Sequence, residues 1–319
     1  MTRPVALLLA AIAVALPLSL LAGRVWIDPF HPALAAAPAI LFELRLPRGV
    51  LALVLGAGLG GAGAAMQGYL RNPLADPGLF GIAPGAALGA VLALLTGASA
   101  AYALPLAALI GAGSAMALLA VIAGRTAGIT LFTLAGMMIA SLAGALTSLA
   151  ISLAPNPFAL SEIVTWLMGA LTDRGWPDVW IAAPPTFVGL LVLVRAGRDL
   201  DALTLGEDAA RSLGIAPRRV QALMIVGVGL TVGAGVAVAG IIGFVGLMVP
   251  HLVRRFTDRR PSRLILPSAL AGALLVLVAD MLCRVMPLAG GELRLGIGLS
   301  LLGAPFFLLL LLRMRRGLA

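Results

Sequence analysis

Few side chains in this sequence are able to do covalent or phosphoryl chemistry. All 22 basic residues are arginine. A P-loop needs a lysine to reach nucleotide phosphates, so the chain carries no ATPase motif of that kind. A single cysteine, Cys283, excludes an internal disulfide, and with only two histidines, His31 and His251, no metal-ligand spacing arises. No hydrolytic triad and no paired-carboxylate pattern is present. What remains is recognition. The longest strongly polar run, Arg195 to Arg219 (RAGRDLDALTLGEDAARSLGIAPRR), is flanked by apolar stretches and offers a soluble partner a place to grip.

The elements around that run are set by composition. With 61% hydrophobic residues, 11% charged residues and a mean hydropathy of +1.10, the chain departs far from soluble usage, where about 25% of residues are charged. Repeated apolar runs of about 20 residues predict helices, because membrane strands need only about 10 residues of alternating character. The expectation is an all-α integral membrane protein of about ten transmembrane helices, forming one domain over residues 1–319. Thirty-nine glycines suit helices packed through small residues, such as the Gly56-x-x-x-Gly60 pair. The net charge of +9 is read as membrane topology and not as nucleic-acid binding.

In chain order, the spans are expected near 5–22 (an uncleaved first span), 49–65, 79–96, 104–123, 129–153 and 179–194. The apolar stretch 222–253 is too long for one span and too short for two with a loop, which predicts one full and one short helix broken near Gly240, Gly243 and Gly246. Spans at 264–282 and 295–312 complete the set. NPLADPG, residues 72–78, reads as a tight loop. Trp166 and Trp176, in the connector 155–177, suit a lipid–water interface. Sixteen of the 22 arginines fall on the side of the polar run and six on the other, Arg24, Arg45, Arg48, Arg174, Arg284 and Arg294. That asymmetry predicts both termini and the polar run on the cytoplasmic side.

Within the polar run, Asp201 is expected to cap a short turn through Leu205. Gly206 then breaks the chain before a second helix, Glu207 to Leu213, that stops at Gly214. Acid at its start and Arg211 near its end complement the helix dipole.

Several motifs together resemble one family, the iron-chelate and cobalamin permeases of type II ABC importers. They are RLPR (45–48), MQGYLRNPLADPGLFGIAPGAALG (66–89), LAGMMIAS (134–141), TWLMGAL (165–171), LGEDAARSLGI (205–215), GIIGFVGLMVPHLVRR (240–255), AD-x-x-x-R (279–284) and LLGAPFF (301–307). The resemblance spans nearly the whole chain in the family's order. It implies a permease subunit of an inner-membrane importer for a ferric siderophore, haem or cobalamin. The implied partners are a second copy, two cytoplasmic ATPase subunits that bind ATP and magnesium, and a periplasmic binding protein, with no cofactor on this chain.

The resemblance also implies residue roles. Leu205, Gly206, Glu207, Ala210, Arg211, Leu213 and Gly214 would contact the ATPase. Arg45, Arg48 and Arg284 would present to acidic residues of the binding protein, for which an always-charged planar fork is suited. For Arg284 an i,i+4 pair with Asp280 is the alternative, and both can hold. Asn72 and Leu74 match one cytoplasmic gate; Ile129 and Thr130 match a second, where isoleucine replaces a polar residue. Arg294 stands where the family has proline and is given no role. His251 is expected to make a structural hydrogen bond, and His31, alone in its connector, is not read as a haem ligand. The competing class is an ion-coupled secondary transporter, which calls for ionisable groups near the bilayer midplane. The spans offer almost none besides Asp280.

Overall fold

A computed structural model describes residues 3–23, 26–27, 37–97, 102–124, 128–258, 260–286 and 291–316. His31, Arg24, Arg125 and Arg259 lie outside them. Among the described residues the chain is helical, with eight helices long and apolar enough to cross a membrane.

The elements follow in this order: α1 (Arg3–Leu21), α2 (Ala37–Ala39), a π-helical segment (Ile40–Arg45) that runs into α3 (Leu46–Tyr69), α4 (Ile82–Leu95) and α5 (Ala103–Ala123). Next come α6 (Ile129–Ser152), α7 (Pro157–Leu167), α8 (Trp176–Leu203), α9 (Glu207–Ser212) and α10 (Pro217–Ala239). The last are α11 (Val245–Val253), α12 (Pro261–Val285) and α13 (Leu295–Arg316). The apolar stretch 222–253 divides as its length requires, with a full α10 and a short α11. Three expectations shift. The second span, expected from residue 49, is helical from further back, so Arg45 and Arg48 lie on helix. The connector after α6 contains α7. The sixth span runs past Val194 to Leu203, so the first third of the polar run is helix.

The most buried spans are α3, α10 and α12. Helices in lipid gain little from hydrophobic burial against one another, so small residues that permit dense packing decide which pairs form. The antiparallel α3–α12 pair is built this way. A Cβ at Gly56 would lie 2.2 Å from the carbonyl oxygen of Gly272, and one at Gly60 would lie 2.2 Å from that of Ser268. Arg48 meets Asp280 at one end of the seam and Gly68 meets Pro261 at the other, so the register holds over the full length.

Between α10 and α11 the backbone leaves the helix at Gly240, which has φ +72, and re-enters after Phe244 at φ +67. Non-helical backbone at membrane depth must be covered by protein. Here Ala170 N–H donates to Ala239 O at 2.8 Å, and a side chain at Gly240 would strike the Trp166 carbonyl. Trp166 itself is buried, with Nε1 unpartnered among the described residues, so it is a packing residue and not an interfacial one. Trp176 differs: its Nε1 donates to Phe42 O at 3.1 Å.

Candidate functional site: two ends of one helical seam

The α9 end grows out of α8. Gly206 (φ +108) turns the chain between α8 and α9, and Gly214 (φ +80) stops α9 one residue past its cap, Leu213. Both positions need a left-handed backbone that glycine adopts without penalty. The helix expected over 207–213 is thus present. Ala210 is fully buried beneath it, while Leu205 and Leu213 are 69% and 63% exposed. Arg211 pairs with Glu207 at 3.5 Å and Asp208 at 3.2 Å on the open face. The expected cap is not formed: Asp201 lies inside α8, and its carboxylate reaches Ser262 of α12.

Of the residues expected to form the gates, Asn72 lies beside Thr204, at the end of α8, on the wall of one cavity. Asn72 Oδ1 accepts from Leu74 N–H at 2.9 Å, so its carboxamide shapes its own turn. Leu74 and Ile129 are half-buried and Thr130 is exposed in the first turn of α6. The two segments expected to form gates are brought together by neighbours that the sequence did not single out. Tyr69 and Phe132 meet edge to face with ring centroids 5.2 Å apart. Asp76 Oδ1 accepts from Gly78 N–H at 2.7 Å and caps the short 3-10 turn that follows; burial lifts its carboxyl above the usual range, against the pull of that bond.

Gln67, 2% exposed, was also missed. Its Nε2 donates to Gly246 O and Leu247 O, and its Oε1 accepts from Arg254 Nη2 at 2.9 Å. It holds α11 against α3. His251 shows no partner at Nδ1 among the described residues, contrary to the expected hydrogen bond, and its ring packs edge-on against Phe306.

At the opposite end the three arginines converge, though not as an open patch. Arg48 grips Asp280 through Nη2 at 2.8 Å and Nε at 3.1 Å, and donates from Nη1 to Glu292 at 2.8 Å. Arg284 is 4% exposed; its Nε lies 3.3 Å from Asp280, and Nη2 donates to Ser19 O at 3.0 Å. The i,i+4 pair anticipated for Arg284 is therefore made, and made out of solvent. Arg45 donates to Leu20 O and Leu21 O at 2.8 and 2.9 Å, tying α1 to the start of α3. Together with Arg174, Asp173 and Glu292 these arginines line a cleft of about 360 Å³. Asp280, the one acid suited to a midplane carrier role, is held between two guanidinium groups.

The chain is similar to known permeases over nearly its full length. It is 39% identical over 302 residues to the vitamin B12 import system permease protein BtuC of Vibrio cholerae, covering 93% of this chain and 89% of that one. It is 38% identical over 285 residues to the ABC transporter permease protein YvrB of Bacillus subtilis, covering 87% and 80%. A solved structure described as an inward-facing conformation of an ABC transporter assigned to the metal-chelate type superposes with a TM-score of 0.87 at 30% identity, over 97% of this chain and 98% of the other. The FecCD transport family matches residues 8–313, and the chain belongs to that family.

Proposed function

We propose that this chain is the translocation subunit of an ATP-driven importer that carries an iron chelate or cobalamin across the bacterial inner membrane. Two copies enclose the path, two ATPase subunits bind below, and a periplasmic binding protein docks above. Both termini and α9 lie in the cytoplasm, in accord with the arginine asymmetry. ATP binding and hydrolysis on the partner drive alternating access by favouring one state of the path over the other.

The observation that carries this reading is the separation of two recognition surfaces along one rigid seam. The α9 end offers Leu205 and Leu213 to a groove on the ATPase, framed by Glu207 and Arg211. The arginine end offers a basic cleft to acidic residues of the binding protein. Arg45, half-buried at the cleft edge, is reached first, and a docking carboxylate competes with Glu292 for Arg48. Asn72, Leu74, Ile129 and Thr130 close the path beside α9.

The test is reconstitution in vesicles with and without the ATPase subunits, supplying binding protein loaded with cobalamin, haem or a ferric siderophore. Uptake of one of these is expected only with both partners and ATP. Full uptake without the ATPase would overturn the importer reading in favour of an ion-coupled carrier.

A further inference from the structure

We infer that Asp201 is a positioning residue that ties the ATPase-facing corner to α12, so that displacement of α9 moves α12 as a unit. The inference rests on the importer reading and adds the route by which the motion enters the bundle. Because α8 continues to Leu203, Asp201 stands in its last turn, a few residues before Leu205 and α9. Its Oδ1 accepts from Ser262 N–H at 2.9 Å, and its Oδ2 accepts from Ser262 Oγ. Ser262 follows Pro261 in the first turn of α12, where backbone N–H groups have no partner within the helix. A carboxylate there satisfies one such group and is favoured by the helix dipole. Asp201 thus acts as a cap borrowed from another helix.

The corner is closed sterically as well. A Cβ at Gly197 would lie 3.0 Å from Cα of Ser262, and one at Gly68 would lie 2.9 Å from the Pro261 ring, so the ends of α8 and α3 both bear on the start of α12. Beside it a cavity of about 310 Å³ is lined by Thr204 and Pro261 together with Asn72 and Pro73 of the gate loop. Along its length α12 interlocks with α3 through Gly56 and Gly272, and at its far end it carries Asp280 and Arg284. A push on α9 therefore reaches both the gate loop and the arginine cleft through one helix.

The experiment uses the complete complex in vesicles and reads uptake per ATP hydrolysed, with hydrolysis in the absence of binding protein as the control. Asp201→Ala is expected to lower that ratio about tenfold while control hydrolysis persists, in keeping with the loss of a cap and its coupling. Asp201→Asn keeps an acceptor for Ser262 N–H and is expected to stay within about twofold of the parent, which general destabilisation would not explain. Should Asp201→Ala fail to assemble, Ser262→Ala decides; it removes only the hydroxyl bond and is expected to lower the ratio about threefold. An unchanged ratio in the assembled variant overturns the proposal, as does a loss in Asp201→Asn equal to that in Asp201→Ala. Uptake by the parent chain without the ATPase is a separate result, which removes the importer reading itself.

Discussion

At one end of the α3–α12 seam, Arg48, Asp280, Glu292 and Arg284 interlock almost out of solvent. At the other, Arg211 pairs with Glu207 and Asp208 on the open face of α9. The same residue types do different work because their surroundings differ. Buried charges hold one another in place, since removing any member strands the rest in a poor solvent. Exposed pairs are screened and lose side-chain entropy, so they contribute little to stability and remain available to a partner. The first end is therefore a fastening that also forms a basic cleft. The second is an exposed surface, the one proposed to meet the ATPase, whose fold depends on Gly206, Gly214 and buried Ala210 rather than on its charges.

Variants at each end test that contrast. The largest effect is expected from Asp280→Ala, which leaves Arg48 and Arg284 without their shared acid. Loss of stability of about 3–5 kcal/mol, measured by thermal unfolding in detergent, is the expected outcome; a loss below about 1 kcal/mol would mean that the network is well hydrated. Between the two ends, Gly56→Ala drives a methyl group into the Gly272 carbonyl and forces the seam apart. It is expected to cost about 1–3 kcal/mol, with reduced uptake, and a tolerated alanine would show that the seam yields. The smallest effect on stability belongs to the combined Glu207→Arg and Arg211→Glu exchange. Unfolding should shift by less than about 1 kcal/mol, yet uptake per ATP should collapse. Normal coupling in that variant would remove α9 from the role assigned to it.

Much of this was legible beforehand. The break at Gly240 followed from the length of the apolar run, and the limits of α9 followed from two glycines with acid between them. Other features were not. Asp201 has good local capping chemistry for a turn that does not form, because α8 is carried further by packing against α12 and α10. Gln67 is an isolated polar residue in the apolar second half of α3, a signal that marks burial without naming partners 179 and 187 positions away. Trp166 reads as interfacial from its type, but its place under the α10–α11 break is set by Gly169 and Gly240.

Ten spans are expected from the sequence, and eight helices among the described residues are long and apolar enough to cross, α4 being shorter. What the sequence alone determined is that the chain lives in lipid, where the short α11 falls and which polar segment interrupts the spans. These depend on composition, length and turn chemistry, which are local. Tertiary structure decided which charges are buried and which are offered. Arg48 meets Asp280 across 232 positions and Asp201 meets Ser262 across 61. Whether a guanidinium is a fastening or a docking site depends on the solvent left around it after the helices pack.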